Sequence, residues 1–107
     1  EASECAAEQN AFWEYHDALF AGQSGENQGA FNKDKLKGFA AGLGLDSSAF
    51  DECLDSGKYA TLVANQTQYL QSLGVQSTPT FVVNGQALVG AQPFEAFQQL
   101  IESELNK

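Results

Sequence analysis

Few side chains in this sequence have the means to do chemistry: Cys5, Cys53, His16, and the short polar stretch Ser77-Thr78-Pro79. Thiol exchange needs two sulfurs close together, with a helix N-terminus or a cation to stabilise the thiolate. Cys5 and Cys53 are 48 positions apart, and each lies on the apolar stripe of a helical segment. That setting favours inert buried thiols or a buried bridge, with a reversible redox switch as the weakest reading. His16 follows Cys5 by eleven residues, about 16 Å along a helix, so the two cannot hold one metal ion between them. No other histidine exists to complete a ligand set, and no metal site is expected. A packed or half-buried histidine is favoured over a catalytic base. Phe12, Trp13 and Tyr15 beside it read as core and rim aromatics, not as a ligand cage. A serine nucleophile would need a Gly-x-Ser-x-Gly elbow, which is absent. Residues 22–29 are glycine-rich but lack the Gly-Lys-Ser/Thr ending and preceding strand of a phosphate loop. Thr78-Pro79 remains. A trans proline there merely starts a strand; a cis bond turns the preceding N–H and C=O toward an extended partner.

The elements that must position these residues are legible from periodicity. Residues 2–21 read as one amphipathic helix with Cys5, Phe12, His16 and Leu19 on its stripe, widened by Trp13 and Phe20. A second helix is predicted over 33–42, capped by Asn32 and stopped near Gly44. Asp46 or Ser47 caps a short third, with Ala49, Phe50, Cys53 and Leu54 on its apolar side. Gly57 separates it from a fourth over 58–73, where Tyr59, Leu62, Val63, Gln66, Tyr69, Leu70 and Leu73 recur at helical spacing before Gly74. The period then changes: Thr80 to Val83 and Gln86 to Val89 flank Asn84-Gly85, a strong hairpin signal. Pro93 suits the first turn of a last helix with Phe94, Phe97, Leu100, Ile101 and Leu105 on its stripe. The run Phe81-Val82-Val83 is apolar on both faces, as in a strand inside a larger sheet. An isolated hairpin is marginal, and no other convincing strand is available to pair with it.

Composition bounds the function. The 107 residues suit one domain, and 43% apolar content argues for a folded chain. Five lysines, no arginine and a net charge of -9 disfavour nucleic acid as a partner. The acids are scattered, which reads as a solvated surface in preference to an acidic recognition patch. No run has the length of a membrane span or the form of a signal peptide. The opening Glu1-Ala2-Ser3-Glu4-Cys5 is already helical, as in a mature or truncated product.

Several segments together resemble one family. Glu8-Gln9-Asn10-Ala11-Phe12-Trp13-Glu14-Tyr15-His16-Asp17, Phe50-Asp51-Glu52-Cys53-Leu54-Asp55-Ser56-Gly57-Lys58-Tyr59, and Gly74-Val75 with Thr78-Pro79-Thr80-Phe81 and Asn84-Gly85 are similar to segments of the DsbA-like thiol–disulfide oxidoreductases, in the same order. Gly90-Ala91-Gln92-Pro93 resembles the turn into that family's last helix. The resemblance implies an incomplete α/β thioredoxin-like fold. A helical insertion of four helices (residues 1–74) precedes a β-β-α part (residues 75–107) with a cis-Pro loop, a hairpin and a C-terminal helix. It implies a structural disulfide between Cys5 and Cys53, and a substrate-facing loop of Ser77, Thr78 and Pro79. The family's Cys-x-x-Cys segment has no counterpart here, so no residue of this chain is expected to be catalytic. The implied partners are a Cys-x-x-Cys segment of the same protein, a polypeptide substrate and a redox partner protein; no cofactor is implied. The expectation is a C-terminal fragment of an exported, extracytoplasmic oxidoreductase, inactive alone. The alternative is a catalytically silent binding or scaffold module that captures a strand at its proline-loop edge. Two chains pairing through exposed hairpin edges is a further possibility.

Overall fold

The computed structural model describes residues 1–25 and 28–107, and runs through five helices, an antiparallel hairpin and a sixth helix. The single helix expected over 2–21 is two: α1 (Ala2–Ala7) and α2 (Phe12–Ala21). Asn10 causes the break. Its φ of 58° is left-handed, a conformation that Asn tolerates better than most residues. The Ala11 N–H then turns back to Ala6 O at 3.1 Å, closing α1. The interruption also resets the buried face. Tyr15 is fully buried, whereas Trp13 and Phe20, expected beside the stripe, are 69% and 65% exposed.

Local capping sets the next two helices. The Asn32 carboxamide oxygen accepts the Lys35 N–H at 2.9 Å at the start of α3 (Lys33–Gly42). The Asp46 carboxylate accepts the Ala49 N–H at 3.1 Å at the start of α4 (Ser47–Asp55). α5 (Ala60–Ser72) begins two residues later than the expected 58, after a turn in which Gly57 has a φ of 66°. β1 (Thr80–Val83), β2 (Gln86–Val89) and α6 (Phe94–Leu105) follow. Asn84 and Gly85, with φ of 49° and 82°, make the tight turn between the strands.

The chain divides into two compact units, Glu1–Gln66 and Thr67–Lys107, and α5 carries it from one into the other. In the first unit, Ala2, Cys5, Ala6, Tyr15, Ala40, Phe50, Cys53 and Leu54 form a closed core. Its alanines let the helices approach closely, and two large rings fill the middle: Tyr15 and Phe50 are 5.4 Å apart. The Tyr15 hydroxyl donates to Leu36 O at 2.9 Å, which satisfies a polar atom that burial would otherwise strand. Burial pushes that hydroxyl's pKa up to about 12. A Cys5–Cys53 disulfide ties α1 to α4.

The adjacent pair Glu8-Gln9 fastens the end of α1. Gln9 Nε2 donates to Asp46 O at 3.1 Å, and its Oε1 accepts the Asp46 N–H at 2.8 Å. The Glu8 carboxylate accepts from Lys58 Nζ and from the Tyr59 hydroxyl, the latter at 2.8 Å. The Lys58 hydrogen bond, then that of Tyr59, holds the Glu8 carboxyl below its ordinary pKa. Across α3 and α4, Lys37 donates to Asp55 at 2.8 Å and holds that carboxyl below its ordinary pKa in the same way.

The second unit is built differently. β1 and β2 form a two-stranded sheet with Phe81 opposite Leu88 and Val83 opposite Gln86. Phe81 meets Phe97 of α6 edge-on at 4.8 Å. Strand alternation sends Thr80 and Val82 to the opposite face of the sheet. No described residue of this unit is fully buried.

Candidate functional site

The cysteines meet in the helical unit, where Cys5 is 1% and Cys53 5% exposed, and among the described residues no cysteine is free. His16 is half-buried. Its ring lies 5.2 Å from Trp13 and 4.9 Å from Phe20, and its Nδ1 is 3.0 Å from the Asp17 carboxylate. No group of three or more potential metal ligands occurs among the described residues. Besides these side chains, the described residues present a backbone edge.

That edge is made by the loop between α5 and β1. Gly74, with a φ of 91°, ends the helix, and the Val75 N–H returns to Leu70 O at 3.1 Å. The Thr78–Pro79 peptide bond is cis. The Thr80 hydroxyl donates to Ser77 O at 2.6 Å, and the Gly90 N–H donates to Pro79 O at 2.7 Å. Ser77 and Pro79 thus spend their carbonyls within the loop and hairpin. The Thr78 N–H and C=O have no partner among the described residues.

Strand parity extends the pattern. A two-residue turn makes Val83 and Gln86 a hydrogen-bonded pair, and such pairs alternate along an antiparallel ladder. Phe81 and Pro79 therefore face β2, while Val82 and Thr80 turn their backbone groups outward. Thr80 and Val82 thus put outward N–H and C=O groups along the free side of β1, just beyond the cis bond that follows Thr78. An open groove of about 710 Å³ reaches the loop at Ser77 and Thr78 and is lined otherwise by Thr67, Leu70, Gln71 and Gln76. A smaller hollow of about 220 Å³ continues from Leu73 along Thr80, Ala87 and Val89. Such an edge can take an extended chain as a further strand.

One property of this region escapes a reading by periodicity. Between Lys58 and Glu95 the sequence has no Asp, Glu, Lys, Arg or His. A running count of charge finds it at once.

Residues 2–102 match the DSBA-like thioredoxin domain, and the chain belongs to that family. The six helices and two-stranded sheet among its described residues make an incomplete DsbA-like thioredoxin fold with a helical insertion. The chain is 37% identical over 103 residues to Na(+)/H(+) antiporter NhaA 1 of Salinispora arenicola, covering 96% of this chain and 15% of that protein. It is 26% identical over 97 residues to disulfide bond formation protein D of Bacillus subtilis, with coverage of 90% and 44%. To the thiol:disulfide interchange protein DsbA of Bordetella pertussis it is 30% identical over 70 residues, with coverage of 65% and 34%. The chain thus spans less than half the length of each of these relatives. None of its described helices is long and apolar enough to cross a membrane.

Proposed function

We propose that this chain is the helical and hairpin portion of an extracytoplasmic thiol–disulfide oxidoreductase acting on protein disulfides. In this reading a Cys-x-x-Cys segment outside these 107 residues carries the exchange. Ser77, Thr78 and Pro79 hold the polypeptide whose disulfide is exchanged. The observation that carries the reading is the set of backbone groups at Thr78, Thr80 and Val82 that find no partner among the described residues of a two-stranded sheet. A larger sheet and an extended substrate would together satisfy such a set. The only cysteines of the chain are bonded to each other inside the helical core, which suits a structural bridge and not a reactive pair. The names of the Bacillus subtilis and Bordetella pertussis relatives agree with disulfide chemistry.

The test is reduction of insulin disulfides by the chain alone and by a longer protein that includes the coding sequence upstream of Glu1. The chain alone should give no turnover, and the longer protein should turn over through cysteines outside these residues. Turnover by the 107-residue chain, lost on substituting Cys5 or Cys53, would overturn the assignment. An upstream sequence without paired cysteines would leave a strand-capturing module with no redox role.

A further inference from the structure

The helical unit holds a concavity of its own, where α1, α2, α3 and α4 come together. Its volume is about 500 Å³, a size that suits a small molecule. The closed core forms its floor, since Ala2 and Leu54 both line it and belong to that core. Leu19 and Leu36, packed against the core, line it further. Phe20 and Phe31 complete the apolar lining and remain open to solvent, Phe31 at 45% exposure. The four helices are also tied to one another. The Cys5–Cys53 disulfide joins α1 to α4, the Tyr15 hydroxyl bonds α2 to α3 through Leu36 O, and Lys37–Asp55 joins α3 to α4. A pocket held in this way keeps its shape when empty, so a ligand loses little affinity to reorganisation.

Charge decides what kind of small molecule fits. Lys33 lines the pocket, and its ammonium is 3.8 Å from one oxygen of Asp55. Lys37 donates to the other Asp55 oxygen at 2.8 Å. A ligand anion can therefore take Lys33 without leaving Asp55 unpaired. Lys33, Lys35 and Lys37 are three of the five lysines, which makes the start of α3 the most basic stretch of an acidic chain. Glu1 is the one acid in the lining, and it can only accept hydrogen bonds when ionised. The Lys33 ammonium, the Ser3 hydroxyl and the Gln23 amide can all donate, and a carboxylate accepts from each. We propose that this pocket binds a small amphiphile, a medium-length alkyl chain ending in one carboxylate. The chain lies on Ala2, Leu19, Leu36 and Leu54 beside the Phe20 and Phe31 rings, and the head pairs with Lys33. The site shares no residue with the loop at Ser77-Thr78-Pro79, so its occupancy and the disulfide-exchange reading stand or fall separately.

The experiment uses the whole 107-residue chain, nitrogen-15 labelled, and follows its backbone amides by NMR. Hexanoate, octanoate and decanoate are titrated below the concentrations at which they form micelles, with octanol and octylammonium as probes of the head group. Octanoate should shift Leu19, Phe20, Phe31, Leu36 and Leu54 saturably and leave the hairpin amides in place. Affinity should rise about tenfold with each pair of methylenes added, as expected for burial of the chain. Octanoate should bind about threefold more tightly than octanol, an advantage that salt reduces. Lys33→Gln should erase that advantage and leave octanol binding unchanged; Lys33 has a side chain 61% exposed, and its loss removes no core contact. Octylammonium binding as tightly as octanoate would give the charged contact to Glu1 and overturn the proposal. Shifts spread equally over Trp13 and the hairpin would mean adsorption to any apolar surface, and would overturn it too. The same titration is run on a longer protein that includes the coding sequence upstream of Glu1. Pocket amides that move in the short chain but stay still in the longer one would show the protein's own residues to be the occupant, against the proposal.

Discussion

Phe50 and Phe81 each anchor an aromatic contact, Phe50 with Tyr15 at 5.4 Å and Phe81 with Phe97 at 4.8 Å. Phe50 is fully buried and Phe81 is 40% exposed. The difference holds across the two units. The helical unit closes a core of small and aromatic residues, locks it with a disulfide and rings it with Glu8–Lys58 and Lys37–Asp55 pairs. The hairpin unit has apolar residues in plenty but closes over none of them. Charge follows the same division, since the acids and lysines concentrate where the core is already closed. Exposed apolar surface without charge marks surface made to be covered. One region closes on its own apolar residues, and the other leaves them open.

The strongest way to break this comparison is to remove the lock. Replacing Cys5 and Cys53 together by Ser frees a long loop in the unfolded chain and should cost roughly 4 kcal/mol by the chain-entropy relation. Urea unfolding followed by far-ultraviolet circular dichroism should show the helical transition moving to much lower denaturant. A loss under about 1 kcal/mol would mean that packing and capping alone hold the helical unit, and that the disulfide is not what separates the two regions.

Raising the pH tests the closed core from another side. The Tyr15 hydroxyl has an ordinary pKa of 10.0 and is pushed up to about 12 in the fold by burial. The folded state therefore holds this proton more tightly than the unfolded state does. Its contribution is complete below pH 10 and is lost as pH rises toward about 12. The loss is on the order of 2 kcal/mol. Urea midpoints taken across that range should fall in the wild type and fall less in Tyr15→Phe. Parallel decline in the two proteins would show that Tyr15 is not the group responsible.

Much of this architecture was legible beforehand, for reasons that are local. The Asn32 and Asp46 caps, the Asn84-Gly85 turn and the ends of β1 and β2 each depend on a few adjacent residues, and each falls where residue type put it. The break at Asn10 was not legible, because Asn is compatible with a helix interior as well as with the left-handed conformation. Closure of α1 depends on Glu8 and Gln9 reaching Lys58, Tyr59 and Asp46, partners tens of residues away. The same break decides which face of α2 is buried, enclosing Tyr15 and leaving Trp13 69% exposed. The loop at Ser77-Thr78-Pro79 stands out by residue type, but the outward backbone groups of Thr80 and Val82 need the strand register to appear.

Glycines sharpen the contrast between the units at an intermediate scale. Gly22 has a φ of -88°, open to any residue, but an added Cβ would lie 2.5 Å from Phe39 Cζ. Gly22→Ala should cost about 1–3 kcal/mol through displacement of that ring. In the hairpin, a Cβ at Gly85 would meet nothing within 4 Å, and only its φ of 82° opposes substitution. Gly85→Ala should cost about 1–2 kcal/mol through backbone strain alone. A combined Gly22→Ala and Phe39→Leu protein should recover part of the first loss. Failure to recover any would show that close packing around Gly22 is not the cause.

The smallest expected effect on stability is also the most direct probe of the open face of the hairpin. Val82 is 57% exposed, lies on the side of β1 opposite Phe97, and belongs to the outward-facing backbone row. Val82→Lys removes no buried contact and should change the unfolding free energy by less than about 0.5 kcal/mol. It also supplies the edge charge that this hairpin lacks, the device by which sheet proteins discourage strand addition. An unchanged urea midpoint is the expected result. A cost above about 1 kcal/mol would mean that Val82 is packed within the chain, so that the hairpin unit keeps a core of its own after all.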